Sequence, residues 1–375
     1  MSINHWRLAV AGVAATSTAL IGLVVASPTA HADATTCTAN AGGSGLSAAV
    51  VAHAHETIAN RTIDASTCDI GIYVGPGASH VTISGVTVEN AGFQGIFAEK
   101  TSHLTVERST VTGNGFRTVD ASADPLPGNG LHSYVGQSFA ISLFGVSQSS
   151  VVGNDVHNNG RGGIGLMDNG ANDPGWLMQN QNPNAPLVAS THDVIAGNHT
   201  WANYSGCGIV VATQNLGGHL ANLQVTGNTI AGTIGQFTQS GPDIGGIVVA
   251  ADLPNSTVSN VNVTNNSVSE SFEGGIIVNA EAFNSATNRV QVSGNSVRAN
   301  NWGSLEAPAM AGVLVYANPA PIPPGTDAPR NVATTVTGNT ISEQFYGIWS
   351  LGDYAPKTAG NTISVTSGGT PIFHG

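Results

Sequence analysis

The chain has 375 residues with 22 acidic against 10 basic side chains, a formal net charge of −12 and only 9% charged residues. That balance excludes a nucleic-acid surface built on clustered Lys and Arg. With 48 Gly and 41% hydrophobic residues, the composition excludes a disordered chain and points to a β-rich, turn-rich protein with a long core.

Residues 1–32 read as an export signal. Arg7 precedes the small, apolar run LAVAGVAATSTALIGLVVA, and Ala30, His31 and Ala32 form the small-x-small pattern of a cleavage site. The alternative is an uncleaved anchor, since a run of about 19 apolar residues just spans a bilayer. Cleavage removes Arg7 and no acidic residue, which leaves 22 acidic against 9 basic groups and a net charge of −13. No later stretch is apolar enough to span a membrane, so the expected product is secreted or held at the cell envelope.

Residues 33–56 precede the repeats, and GLSAAVVAHAHETI (45–58) has an apolar spacing that fits a short helix. Cys37 and Cys68 lie close in sequence, and export permits a disulfide between them. Cys207 sits in an apolar strand context, where a buried thiol is expected.

From there a hexapeptide recurs. VTGNTI stands at 225 and again at 336, with VTNNSV (263), VSGNSV (292), TAGNTI (358), VVGNDV (151) and IAGNHT (195) as variants; ISGVTV (83) and VERSTV (106) keep the apolar positions without the asparagine. The resulting column is Val86, Ser109, Asn154, Asn198, Asn228, Asn266, Asn295, Asn339 and Asn361, whose shortest gaps set a unit of 22 to 24 residues. A second marker, Gly followed by an aliphatic residue, opens strands at Gly95, Gly130, Gly163, Gly208, Gly246, Gly275, Gly312 and Gly347. A solenoid needs a tight bend at a fixed place in every turn. Gly and Asn tolerate the left-handed backbone of such a bend, and stacked coils align asparagines into a hydrogen-bonded ladder. A β-sandwich with Asn-Gly hairpins is the alternative, but it predicts no fixed unit.

These G-N-x-[IV] turns and G-I-x-V strands resemble the right-handed parallel β-helix family, the pectin-lyase-like fold. The resemblance covers about residues 57–375 and implies an all-β solenoid of about nine coils, with residues 33–56 as a short helical cap over the open N-terminal end. It delivers no catalytic signature. Pectate-lyase-like enzymes use an arginine or lysine base beside calcium-binding aspartates, and galacturonidase-like hydrolases carry paired aspartates with G-H-G and R-I-K motifs; neither set occurs here. Arg117, Arg161, Arg289, Arg298 and Arg330 stand in no such string.

The insertions fall at both corners flanking the G-I-x-V sheet, so they would wall a trough. With Ile and Val inward, parity places Phe97, Glu99, His132, Tyr134, Met167, Asn279, Tyr316 and Trp349 outward. Polar outward chemistry is confined to the first three units and the sixth, and those first units also own the largest insertions, 117–129 and 168–189. The expected catalytic group is therefore Glu99, His132, Tyr134 and Asp168 on three adjacent coils opened by Gly95, Gly130 and Gly163, with Arg161, Asp120 and Asp124 in reach of folded-over loops. His132 would accept a proton and Tyr134 donate one, with Glu99 and Asp168 orienting the imidazole or holding a cation. The competing reading packs His132 and Tyr134 under the 168–189 loop with no chemistry.

Six residues past the marker glycines stand Asn169, Gln214, Asp252, Glu281, Asn318 and Asp353. Such a column could grip a polyhydroxyl chain, with Arg161, Asp252, Glu281, Tyr316 and Trp349 as substrate-binding residues, or calcium, the one cofactor foreseen. It could equally be ordinary strand-ending Asn and Asp. A secreted protein that binds, and cleaves or epimerises, an extracellular polysaccharide is one expectation; a non-catalytic envelope or adhesion scaffold is the other. A metal-handling role is a third, though His53 and His55 are the only closely spaced histidines that encourage it.

Overall fold

The structure is a computed structural model. It describes residues 36–39, 41, 46–116, 139–160, 162–170, 186–204, 206–233, 245–301, 310–317, 322–352 and 355–375. Among these, every long strand pairs parallel with the strand one coil away, and each coil contributes three strands. In one coil these are Gln94–Glu99 (sheet A), Thr105–Glu107 (sheet B) and Thr110–Thr112 (sheet C). The main path of sheet B stacks ten strands in chain order, and sheets A and C join through the continuous strand Thr340–Leu351. This is a parallel β-helix. It arises because each coil repeats apolar residues at inward positions with period two, and because only stacking buries them.

The bend between sheets B and C carries the expected ladder. Asn154, Asn198, Asn228, Asn266, Asn295 and Asn339 each donate through backbone N–H and Nδ2 to the Oδ1 of the next asparagine, ending at Asn361, over 2.9–3.0 Å. The left-handed residue is its predecessor, not the ladder asparagine: Gly153, Gly197, Gly227, Asn265, Gly294, Gly338 and Gly360 all have positive φ. A second ladder, five residues later at the bend between sheets C and A, was not foreseen. Asn114 donates to Asn159 Oδ1 and Asn159 to Asn203 Oδ1, over 3.0–3.2 Å.

Two elements differ from expectation. No helix occurs among the described residues of the N-terminal segment; Ala48–Val51 is instead a strand of sheet A, with Ala48 opposite Ile70. The spacing of Leu46, Ala48 and Ala52, all buried, has a period of two, so these residues suit a strand and are fixed there by the open edge of Ile70–Val74. In the third coil the sheet A strand is Phe139–Phe144, not the segment opened by Gly130: Ile141 lies between Ile96 and Ile164. Ala140 thus takes the place of the marker glycine between Gly95 and Gly163, which stand two coils apart, and Gly130 lies outside the described residues.

Sheet A is buried on both faces. Its inward side joins the solenoid core through residues such as Ile96, Ile164, Val211 and Val278. Its outward side forms a second apolar cluster that includes Tyr73, Phe97, Phe144, Val210, Ile277, Leu314 and Trp349. The Phe139 ring packs over Gly165, where a Cβ would come within 2.4 Å of it. Cys37 and Cys68 form a disulfide with Cα atoms 5.6 Å apart, which ties the N-terminal segment to the coil edge; Cys207 is buried. No helix among the described residues is long and apolar enough to cross a membrane.

Candidate functional site

The outward positions of sheet A do not form an open polar floor. Glu99, Tyr316 and Trp349 are outward as parity requires, yet only 7%, 5% and 9% exposed. The apolar runs of this sheet, such as IVVAT and IVVAA, lack the alternation of a half-solvated strand because both their faces are covered. Polar chemistry moves to the edge where sheet A turns toward sheet B.

At the N-terminal end of that edge, Glu99 is held from two sides. Tyr73 Oη donates to its Oε1 at 2.5 Å, and Asn169 Nδ2 donates to its Oε2 at 3.3 Å from two coils away. The coil between them presents Gly145, where a Cβ would lie 2.8 Å from Asn169 Cβ. Burial, and secondarily the Glu99 charge, push the Tyr73 phenol well above its usual range, so it stays a proton donor. Asp168 is fully buried and turns elsewhere: its Oδ1 accepts the backbone N–H of Gln214 at 2.5 Å, linking one coil to the next. Asn169 and Val188 exchange backbone hydrogen bonds of 2.9 and 2.7 Å, which clasp the two ends of the 168–189 insertion.

The residues two past the paired Met167, Ala212, Ala250 and Asn279 continue this edge, and they are Asn169, Gln214, Asp252 and Glu281. Gln214, Asp252 and Glu281 are half-buried. Gln214 Nε2 donates to Asp252 Oδ2 at 3.3 Å. Glu281 Oε1 accepts from Asn279 Nδ2 at 2.6 Å and from Tyr316 Oη at 2.7 Å. Farther along, Ala317, Leu351, Asp327 and Arg330 line a hollow. The edge therefore offers carboxylates and amides one coil apart, oriented by hydrogen bonds and suited to accept from and donate to hydroxyl groups.

His132, Tyr134, Arg161, Asp120, Asp124, Asn318 and Asp353, with the whole 117–129 insertion, lie outside the described residues. Of the expected catalytic group the structure describes Glu99 and Asp168, and their carboxyl groups meet different partners. Among the described residues no group of three or more His, Cys, Asp or Glu is placed to hold a metal ion. The histidines instead stack: His55 on His80 with centroids 5.0 Å apart, and His80 on His103 at 4.2 Å, one per coil. Of the column six past the marker glycines, Asn169, Gln214, Asp252 and Glu281 are the described members, and they stand at this edge in successive coils. Tyr73 was equally legible: GIYV (71–74) is a further copy of the G-I-x-V marker one coil before Gly95, and it places Tyr73 in register with Phe97.

The family model described as "Right handed beta helix region" matches residues 45–253. Among solved structures, the chain is similar to the Dettilon tailspike protein, with a TM-score of 0.56 and 16% identity over 87% of this chain and 55% of that one. It is also similar to a tailspike protein mutant of the E. coli bacteriophage HK620 in complex with a pentasaccharide, with a TM-score of 0.56 and 13% identity over 90% of this chain and 55% of that one. The chain thus spans about half the length of the tailspikes it matches. A comparison with curated protein sequences finds no match.

Proposed function

This chain belongs to the right-handed β-helix family, and on that premise we propose that it is an exported protein that binds a neutral extracellular polysaccharide along the polar edge of sheet A. The observation that carries the reading is the row of half-buried Gln214, Asp252 and Glu281 on consecutive coils, each oriented by a neighbour's hydrogen bond. Coils repeat at about 4.8 Å, so the row presents hydrogen-bonding groups at a spacing that a chain of hydroxyl-bearing rings can follow. A net charge of −12 disfavours polyanions, which makes a neutral polymer the better fit. The pentasaccharide named with one tailspike supports the ligand class. Export rests on residues 1–32, and N-terminal sequencing of the secreted protein tests the cleavage after Ala32.

Binding to a panel of neutral and acidic polysaccharides tests the proposal. The combined variant Asp252→Asn, Glu281→Gln and Tyr316→Phe is expected to bind neutral polymer more weakly than wild type; undiminished binding, or a preference for polyanions that survives salt, would overturn it. Loss of binding on chelation would bring calcium into the edge. If the edge also cleaves or epimerises, His132 and Tyr134 as proton acceptor and donor, with Arg161 on the substrate, are the residues to substitute. Reducing ends then appear in digests of a neutral polymer, whereas unsaturated ends or a changed epimer ratio appear only in the uronate-containing members of the panel, where a carboxylate acidifies the C5 proton. The non-catalytic scaffold is the second reading. It is favoured by the burial of Glu99 and Asp168, whose carboxylates serve internal partners.

A further inference from the structure

Outside its two middle coils, sheet C carries mostly small Thr, Ser and Ala side chains on its outer face, with Asp64, Glu89 and Arg298 as charged exceptions. Along the stack its outward pairs are Thr87 and Glu89, Thr110 and Thr112, then Thr229 and Ala231, Ser267 and Ser269. Two coils in the middle break this pattern with Asp155 and His157 facing His199 and Trp201 in register. The four side chains form one cluster. Trp201 Nε1 donates to Asp155 Oδ1 at 2.8 Å, and the same oxygen lies 3.4 Å from His157 Nδ1 and 3.5 Å from His199 Nδ1. The His157 ring lies parallel to the indole, 11° apart with centroids at 4.5 Å.

That stack covers one face of Trp201, and the His199 ring, on the same strand, lies 25° from the indole plane with centroids 5.9 Å apart. On the side of the next coil the register partner of Trp201 is Ala231, followed by Ser269 and then Arg298. A methyl and a hydroxymethyl group leave a notch two rungs deep, about 10 Å along the axis, between the indole and Arg298. The Asp155 and His199 side chains beside it are 45% and 51% exposed. At the adjoining corner Phe116 meets Tyr204 edge-on, centroids 5.3 Å apart, across the coil of Gly160, where a Cβ would come within 3.1 Å of the Phe116 ring.

We propose that Trp201, with Asp155 and His199, is a saccharide-binding subsite on sheet C, separate from the edge of sheet A. The electron-rich indole face takes the C–H face of a pyranose seated over Ala231, and the carboxylate and imidazole bond its hydroxyls. The subsite shares with the function proposed above only the class of ligand. The hydrogen bond from Nε1 and the His157 stack hold the ring in place, so it docks a sugar without first having to be ordered.

Calorimetric titration with neutral oligosaccharides of β-glucan, mannan, xylan and maltodextrin tests this in the full chain carrying Asp252→Asn, Glu281→Gln and Tyr316→Phe, the variant that removes the edge of sheet A. One oligosaccharide is expected to bind that background, and Trp201→Ala to weaken it about tenfold or more. Ala231→Phe fills the notch against the indole and is expected to give a similar loss with an undiminished melting temperature, which decides the matter if Trp201→Ala fails to fold. Wild-type affinity in both Trp201→Ala and Ala231→Phe, or no binding to the background, overturns the subsite. A background that binds nothing while wild type binds leaves the sheet A reading standing; a background that binds undiminished overturns that reading and leaves this one.

Discussion

Asn295 spends two hydrogen bonds on a single atom: its backbone N–H and its Nδ2 both donate to Asn339 Oδ1 at 2.9 Å. Its own Oδ1 accepts the same pair from Asn266, and its Nδ2 also donates to Val263 O. Asn295→Ala therefore strands the Asn266 N–H and one of its two amide protons, the other staying on Val225 O, and removes the donor to the Val263 carbonyl, in a site that is 1% exposed. A loss of about 2 to 4 kcal/mol in urea unfolding is expected. Because the left-handed residue is Gly294, Asn295→Gly relieves no strain and is expected to cost at least as much as alanine. A milder glycine variant would show that backbone conformation, not the ladder, makes this position matter.

The marker glycines have a different cause. Gly275 opens its sheet A strand without a positive φ, but a Cβ there would stand 2.4 Å from Val297 Cγ1 and 2.6 Å from the carbonyl oxygen of Gly312 on the next coil. The chain passes from sheet C to sheet A too closely for a side chain. Gly275→Ala is expected to destabilise by about 2 kcal/mol or more, since backbone on one side cannot yield. A thermal shift indistinguishable from wild type would contradict that close approach.

These two cases mark what the sequence makes legible. The asparagine column survives intact because one bend with one hydrogen-bonding job demands the same letters in every coil. The second ladder was equally legible, as Asn114, Asn159, Asn203 and Asn300 each stand five residues past a first-column position, but its flanking apolar residues recur less strictly. The G-I-x-V segments announce strands and conceal their environment: a run such as GIVVA signals burial on both faces, so reading its outer residues as a trough floor misjudged solvent access. The third coil misled for a related reason. GLHSYV imitates the marker, whereas Phe139–Phe144 has no opening glycine and is recognisable only by its pairing. The Asp155, His157, His199 and Trp201 cluster spans two units 44 residues apart and becomes a neighbourhood only once the register is known.

The Cys37–Cys68 bridge closes a loop of 31 residues. In the chain-entropy view such a loop contributes about 3 to 4 kcal/mol. Cys68 is fully buried beside Ala65 and Ala91, so Cys68→Ala keeps most of its packing and isolates the cross-link. Unfolding midpoints of wild type and this variant are expected to differ without reductant and to converge with it. Equal midpoints in both conditions would mean that the bridge does not contribute to stability.

Asp193 supplies the prediction with a direction in pH. Its Oδ1 accepts the Ser149 N–H at 2.8 Å, as the ladder asparagines do, but its Oδ2 is buried with no hydrogen-bond partner. Burial pushes the carboxyl from 3.8 up to about 8, and the Ser149 bond offsets only part of that. Between these values the folded chain binds a proton that the unfolded chain has released, so stability is fully present below about pH 4 and falls as pH rises toward 8. An asparagine in its place would still accept the Ser149 N–H while removing the ionisation. Asp193→Asn is thus expected to stabilise the protein most at pH 8, by an amount on the order of a few kcal/mol that shrinks steadily toward pH 4. Melting temperatures of the two proteins across that range check this, and a difference that is constant with pH, or that grows toward acid, would show that Asp193 titrates normally.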